Sequence, residues 1–367
     1  MAVWTAKLVV ALRTYGTSDV RSWIWFAQGV RERGPIGVYG IDFEVLHEGL
    51  YNHPPLVGYY LEVLNGLAQW GMPVNVSLRA ISSAADVVSG LLVFELVRRR
   101  AALTRAAVGG LSVVASPLLF LVSGYHGNTD PIFVMLVLLG TFLVVDRRSP
   151  VAASVIFAMA IGIKIVPVVV LPTIAVYLIR NHRDRVLPAG LGFLTVVAVL
   201  WVPPLLSHGS ALDHNVLGYA GIGSRPWGLV RFSYELGWRW LADFLVGSGR
   251  SVIVLLCGVV PAVLTWRRPS RAVESVALSL VAFLAFSPAF GAQYLVWAAA
   301  PAYLLDVWSA SVYNLVAGVF VFHVYDQWNA GLPWVHMALG TPLTSGEVTL
   351  AALVWANLIA VMIRGGR

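Results

Sequence analysis

The chain has 367 residues, of which 58% are hydrophobic and only 12% are charged, with a net charge of +7 and a mean hydropathy of +0.78. Soluble domains carry about 25% charged residues, and one water-facing core could not hide this much apolar surface. The composition therefore excludes a soluble enzyme, a disordered chain and a fibrous chain. It predicts an all-α polytopic membrane protein with about 11–12 transmembrane helices.

Apolar runs separated by short polar loops are the predicted spans, and some of them are shorter than a full bilayer crossing. They lie at residues 2–13, 76–97, 106–123, 131–145, 151–163, 165–179, 187–206, 251–266, 273–287, 293–308, 311–324 and 347–363. We therefore treat residues 1–367 as a single transmembrane domain with two long loops, 14–75 and 207–250.

Arginine collects in alternate loops. With the N-terminus in the cytoplasm, 14 of the 25 basic residues fall in short loops on the cytoplasmic side. They are Arg98, Arg99, Arg100, Arg105, Arg147, Arg148, Arg180, Arg183, Arg185, Arg267, Arg268, Arg271, Arg364 and Arg367. Short loops rich in arginine stay in the cytoplasm, so the pattern predicts this orientation. The single cysteine, the preference for arginine over lysine and the compact loops are typical of a bacterial cell (plasma) membrane protein.

The residue types that could take part in a reaction lie mostly on the opposite side of the membrane. On this topology 12 of 18 acidic residues and seven of eight histidines are extracytoplasmic, most of them in the two long loops. Long loops with their own helical pattern are usually functional. We therefore expect any chemistry on the extracytoplasmic face.

The first long loop contains two predicted interfacial helices. Ser18 is the expected cap of a helix whose apolar face includes Trp23 and Phe26 and which ends at Gly34-Pro35. Pro54-Pro55 then begins a second helix.

Asp19 stands at the start of the first loop helix. A carboxylate is favoured there by the helix N-terminus, which is a purely structural explanation. The functional alternative is a general base at the membrane surface that deprotonates a hydroxyl.

Further polar residues lie at the same membrane edge. Lys164 interrupts an apolar stretch, where its amine can reach the interface or hold a lipid phosphate. The second long loop offers arginines that can bind phosphate bidentately, interleaved with aromatic residues. The donor-phosphate candidates are Lys164, Arg225, Arg231 and Arg239. The substrate-binding candidates are Asn52, His53, His126, Asn128, Asp130, Gln293 and Tyr294.

Signatures of soluble donors are missing from the sequence. It contains no glycine-rich phosphate loop, no paired CxxC, no HExxH and no metal-ligand cluster. A transferred group would therefore arrive on a lipid rather than on a nucleotide.

The ordered segments resemble the GT-C superfamily of integral-membrane glycosyltransferases. The similar stretches are TSDVRSWIWF around Asp19, YGIDFEVLHEGLYNHPPL, GYHGN at 124–128, the lysine at 164 and SPAFGAQYLVW. The HPPL at 53–56 is comparable to that of protein mannosyltransferases. The resemblance covers nearly the whole chain as topology.

The resemblance implies a polyprenyl-phosphate sugar donor, with mannose favoured, and a glycolipid, glycan or protein acceptor. It implies that Asp19 is the catalytic base of an inverting transfer and that Lys164 and the loop arginines stabilise the leaving phosphate. Ser18 and Val20 flank Asp19 where many members have a second acidic residue. We therefore expect a metal-independent reaction without a cofactor, with a divalent metal as the open alternative.

Two other classes of function stay open on the sequence. A transporter or flippase of lipid-linked sugars would also need polar intramembrane groups, but it should show internal repeats or paired broken helices. A lateral scaffold would not need a carboxylate, a histidine and a lysine on one face.

Overall fold

The computed structural model describes residues 1–44, 49–219, 227–288 and 291–366. Within these ranges the chain is helical, without strands, and one isolated bridge joins Thr17 to Ala338. The helices are α1 Ala2–Arg13, α2 Ser18–Gly37, α3 Leu56–Gln69, α4 Val74–Arg98, α5 Leu103–Val114, α6 Pro117–Leu121, α7 Asp130–Val145, α8 Pro150–Ile163, α9 Leu171–Asn181, α10 Val186–Leu212, α11 Leu229–Glu235, α12 Arg239–Val246, α13 Gly249–Arg267, α14 Ala272–Phe286, α15 Val296–Ala299, α16 Val307–Trp328 and α17 Ser345–Gly366.

Seven helical segments in the described ranges are long and apolar enough to cross a membrane. They are Val74–Arg98, Leu103–His126, Arg183–Leu217, Gly249–Arg267, Pro269–Phe286, Val307–Trp328 and Ser345–Gly366, and three shorter apolar helices accompany them. The chain is therefore an all-α, multi-pass membrane protein, as predicted from its composition. The total of about 11–12 spans remains a prediction.

The predicted span at 293–308 differs from the structure. A 3₁₀ turn at 292–295, the short helix α15 and a second 3₁₀ turn, Pro301–Leu304, replace one continuous helix. Pro301 lacks the backbone N–H that a continuing helix needs. Ala298, Ala299 and Ala302 are fully buried, so this apolar stretch fills the protein interior between helices.

The first long loop contains the two predicted helices. α2 breaks at Gly34, whose φ of +76° is outside the helical region, and α3 follows Pro54-Pro55 directly. The N-cap of α2 is Thr17 rather than the predicted Ser18, and its side chain makes no capping bond. Trp23 and Phe26 are buried. The apolar face of α2 thus packs inside the protein, and the predicted position of both helices on the membrane surface remains a prediction.

Backbone contacts fix the segment before Asp19. The Ser18 N–H donates to the Ala338 carbonyl at 3.1 Å, and the Ala338 N–H donates to the Gly16 carbonyl at 3.0 Å. Gly16 has a φ of +87°, and a Cβ there would meet the Tyr125 carbonyl at 2.9 Å. A residue with a side chain would therefore strain the turn that begins α2.

The polar turns gather at two opposite ends of the bundle. At one end, the Ser82 hydroxyl on α4 donates to the Asn128 carbonyl. At the other, Arg100 pairs with Asp146 at 2.9 Å and Arg271 donates to the Gly365 carbonyl at 2.7 Å. We call these the Asp19 end and the arginine end; their assignment to membrane sides remains a prediction.

A buried ion pair joins α1 to α4. Lys7 Nζ lies 2.6 Å from Asp86 Oδ2, and the two side chains are 1% and 2% exposed. Charges buried this deeply need a partner, because removing one of a pair leaves the other uncompensated.

Lys7→Met should therefore lower the free energy of unfolding by about 3–5 kcal/mol, because Asp86 loses its only ion-pair partner among the described residues. The double variant Lys7→Met/Asp86→Leu should recover most of this loss. Denaturant unfolding in detergent measures both. A single variant as stable as the wild type would contradict the importance of the pair.

Candidate functional site

A cavity of about 230 Å³ at the Asp19 end collects side chains from distant parts of the sequence. Seven predicted site residues line it: Asp19, Asn52, His53, Asn128, Lys164, Gln293 and Tyr294. Trp23 and Phe26, predicted only as an apolar helix face, form part of its wall together with Ser22, Gly49, Leu50, Thr129 and Tyr219. The fold therefore gathers predicted residues from five separate segments around one space.

The Asp19 carboxylate is held from behind by a histidine. His126 Nε2 lies 2.9 Å from Asp19 Oδ2, and His126 Nδ1 lies 3.2 Å from the Thr17 hydroxyl. When Nε2 carries the proton and donates it to Asp19, Nδ1 can accept from Thr17. Asp19 Oδ1 accepts no hydrogen bond from the described residues. The side chain is 45% exposed, so this carboxylate can meet a ligand in the cavity.

The charges around Asp19 keep its carboxylate ionised. Burial alone would raise the pKa of Asp19, but the field of His126 and the hydrogen bond from it outweigh burial. Lys164 and His53 add smaller effects in the same direction, and the pKa lies below the ordinary 3.8.

Lys164 is the cation of the cavity. Its ammonium lies 2.9 Å from Asp130 Oδ1, and Asp130 is fully buried whereas Lys164 is 20% exposed. The Asn128 amide donates to the other oxygen of Asp130 at 3.2 Å. The ammonium also lies 4.8 Å from the ring centroid of Tyr294. Asp130 therefore fixes Lys164 from the interior while the lysine faces the cavity.

His53 belongs to an aromatic wall. Its ring stacks on Trp23 with centroids 4.3 Å apart, and its backbone carbonyl accepts from the Tyr39 hydroxyl at 2.6 Å. Burial, with a further effect from Lys164 and against the opposing effect of Asp19, lowers the pKa of His53 to about 3. The imidazole is therefore neutral and can both donate and accept hydrogen bonds.

Two tyrosines close another side of the cavity. Burial raises the pKa of Tyr294 well above its usual value, and Tyr219, Asp130 and Asp19 raise it further. Tyr294 and Tyr219 are joined by a side-chain hydrogen bond. The Tyr294 hydroxyl therefore stays protonated and polar at neutral pH, which suits the binding of hydroxyl-rich ligands.

The predicted loop arginines are not brought together at this cavity. Arg225 lies outside the described residues. Arg231 pairs with Glu235 at 2.6 Å, and Arg239 is exposed at the start of α12; neither lines the cavity. Lys164 is thus the only lysine or arginine among the described residues that line it.

Some residues at or behind the cavity wall have positions that the sequence did not predict. His126 and Asp130, predicted as substrate-binding, lie behind the wall, where they hold Asp19 and Lys164. Thr17 and Tyr219 were not predicted at all. Thr17 had one available signal in the sequence: it is a polar residue that stands two residues before Asp19.

A second and larger cavity, of about 620 Å³, adjoins the first at Leu50, which lines both. Its polar lining combines carboxylates and imidazoles from the first loop and the end of α10. These residues include Asp42, Glu44, His208, His214 and Asn215. In the described ranges, no group of three histidine, cysteine or acidic side chains is placed to hold a metal ion.

Comparison with known families gives a match over part of the chain. Residues 52–208 match the model of the dolichyl-phosphate-mannose-protein mannosyltransferase family. The matched range contains Asn52, His53, His126 and Lys164, and it begins after Asp19. The chain matches none of the curated proteins with which it was compared.

Replacing His126 by glutamine should raise the pKa of Asp19, because burial then acts without the imidazole that opposes it most. In an infrared pH titration, the protonated-carboxyl band that Asp19→Asn removes should appear at higher pH in His126→Gln than in the wild type.

His53→Gln is the matched control, since His53 lowers the pKa of Asp19 less than His126 or Lys164 does. It should move the titration less than His126→Gln does. An unchanged titration in His126→Gln would contradict the coupling of His126 to Asp19.

Proposed function

We propose that this multi-pass membrane glycosyltransferase of the GT-C type transfers one sugar, with mannose favoured, from a polyprenyl phosphate to an acceptor hydroxyl on the extracytoplasmic face of the plasma membrane. The observation that carries the proposal is the presence of one oriented carboxylate, Asp19, and one cation, Lys164, in the same cavity. The family match to a dolichyl-phosphate-mannose-using family supports the lipid-linked donor.

Asp19 acts as the base. The acceptor oxygen attacks the anomeric carbon while Asp19 Oδ1 takes its proton, and the bond from that carbon to the phosphate oxygen breaks. A carboxylate with a lowered pKa is a weak base. Proton transfer is therefore late, when the oxygen is already bonding to carbon and its proton has become acidic. A single displacement of this kind inverts the anomeric centre.

Lys164 stabilises the leaving phosphate. Negative charge grows on the phosphate oxygens as the bond breaks, and a fixed cation there lowers the barrier. Asp130 and the Tyr294 ring hold the ammonium in position before the donor arrives. His53, Gln293 and Tyr294, which line the cavity, bind sugar hydroxyls of the donor. The adjoining cavity at Leu50 offers the acceptor a route to Asp19.

The lipid part of the donor needs an apolar surface. A groove of about 350 Å³ with an almost entirely apolar lining runs along α13 and α14, and Leu256, Val260 and Phe286 are among its residues. Phe286 ends α14, seven residues before Gln293 of the cavity wall. This groove suits a polyprenyl chain whose phosphate reaches Lys164.

Asp19→Asn should reduce sugar transfer by about 10²–10⁴-fold, the range for removal of a general base. The amide oxygen can still accept from His126, so expression and thermal stability should stay close to those of the wild type. The measurement is transfer from a panel of radiolabelled polyprenyl-phosphate sugars to native membrane acceptors by the purified protein in lipid.

Asp213→Asn is the matched control, because Asp213 follows α10 at the same end but lines neither polar cavity. It should keep full activity. Retained transfer in Asp19→Asn would move the base to Asp42 or Asp130. No transfer from any donor by folded wild type would favour transport of lipid-linked sugars.

Lys164→Met should reduce turnover by about 10²–10³-fold, but it also leaves the buried Asp130 without its cation. The double variant Lys164→Met/Asp130→Asn removes both charges and should unfold near the wild-type temperature while its turnover stays low. Turnover and thermal unfolding of the same preparation separate the two effects. Wild-type turnover in the double variant would remove Lys164 from the mechanism.

A further inference from the structure

A third polar cavity lies at the arginine end, far from Asp19. Its volume is about 230 Å³, and it lies where α4, α14, α16 and α17 begin or end. Ser82, which contacts the Asn128 turn, and Arg100, which lines this cavity, are separated along the chain by roughly 27 Å of helix at 1.5 Å per residue. The sugar-transfer machinery proposed above does not use this cavity.

Four arginines line the cavity: Arg100, Arg105, Arg271 and Arg364. Arg100 is neutralised by Asp146 at 2.9 Å. Arg105 is exposed and makes no hydrogen bond or ion pair with any described residue. Arg364 lies 3.8 Å from Asp306, beyond hydrogen-bond length. The cavity therefore has guanidinium donors that no described residue satisfies.

The backbone adds to this positive character. α14 begins at Ala272, next to lining residues of the cavity. The N-terminus of α16 is already capped, because Asp306 Oδ1 accepts from the Ser309 N–H at 2.8 Å. A helix N-terminus carries partial positive charge and favours anions. Guanidinium groups beside the N-terminus of α14 are an environment that a phosphate group prefers.

One group in the cavity lining requires a hydrogen-bond donor from the ligand rather than an anion. The Oε2 atom of Glu274 is buried and has no hydrogen-bond partner in the described part of the chain. A buried carboxylate oxygen needs a hydroxyl or an amine to satisfy it. A ligand that fits both features carries a phosphate together with a hydroxyl-bearing group.

Trp308 locates the cavity relative to lipid. This tryptophan lines the cavity and is 68% exposed, and exposed tryptophan in membrane proteins is typical of the headgroup region. Basic pockets between spanning helices near that region bind anionic lipid head groups.

We propose that this cavity binds the phosphate and hydroxyl groups of an anionic phospholipid head group. Arg105, Arg271 and Arg364 hold the phosphate, and Glu274 accepts from a head-group hydroxyl. The bound lipid joins the ends of four helices on the side of the protein opposite the transfer site, and so it stabilises the bundle.

The test measures thermal unfolding of the purified full chain in detergent micelles, titrated with phosphatidylglycerol or phosphatidylcholine. Phosphatidylglycerol should raise the unfolding temperature more than phosphatidylcholine does. In Arg105→Gln/Arg364→Gln, the apparent affinity for phosphatidylglycerol should fall by roughly tenfold or more as two charged contacts are lost.

Arg147→Gln/Arg148→Gln is the matched control, because these arginines are exposed at the same end but do not line the cavity. It should keep the wild-type affinity. Equal affinity in both double variants, or equal stabilisation by the two lipids, would overturn the proposal.

Glycerol phosphate without acyl chains distinguishes the source of the phosphate. Stabilisation by phosphatidylglycerol alone supports the lipid site, whereas an equal effect of glycerol phosphate at the same concentration would overturn the lipid assignment in favour of a soluble phosphate ester. None of these measurements depends on sugar transfer, so the proposal stands or falls separately from the proposed enzyme activity.

Discussion

The candidate site depends on the 2.9 Å hydrogen bond between His126 and Asp19, because this bond connects two distant parts of the chain. Asp19 begins α2 in the first long loop, and His126 ends the helical segment that starts at Leu103. The bond therefore positions a loop carboxylate against a spanning segment. Without this bond, no hydrogen bond from a described residue would hold the Asp19 side chain in position relative to Lys164.

The same constraint recurs at other buried charged side chains in the described part of this protein. Lys7 is paired with Asp86, and Asp130 is paired with Lys164. Arg79, which is fully buried, donates to backbone carbonyls instead. Ionisable groups at membrane depth are costly unless a partner satisfies them. Each such pair also joins two segments, so the cost of burying charge is offset by specific packing of the bundle.

The two ends of the bundle use charge differently. At the Asp19 end, one lysine and one carboxylate, Asp19, face a cavity whose other walls are aromatic or neutral. At the arginine end, several guanidinium groups share a smaller set of carboxylates. The first arrangement suits a reaction in which charge develops at one point. The second arrangement suits a bound anion that does not react, and for this reason we propose that a lipid head group binds there.

The sequence predicted the fold class and several residues that line the candidate cavity because the relevant signals are local. Apolar runs reveal spans, and Pro54-Pro55 and Gly34 mark helix ends through their own backbone restrictions. Contacts between distant segments give no such signal. The hydrogen bond of Thr17 to His126 and the placement of Tyr219 beside Tyr294 depend on how segments more than 70 residues apart meet. The loop arginines show the same limit, since their composition suited phosphate but Arg231 pairs locally with Glu235.

The central claim is that Asp19 removes a proton in a single displacement, rather than attacking the sugar itself. The most direct test is the anomeric configuration of the first product, read by NMR from a donor of known configuration. Direct displacement with Asp19 as base predicts that the product has the opposite configuration to the donor. A product with the donor's configuration would contradict the account, because it would require two successive displacements.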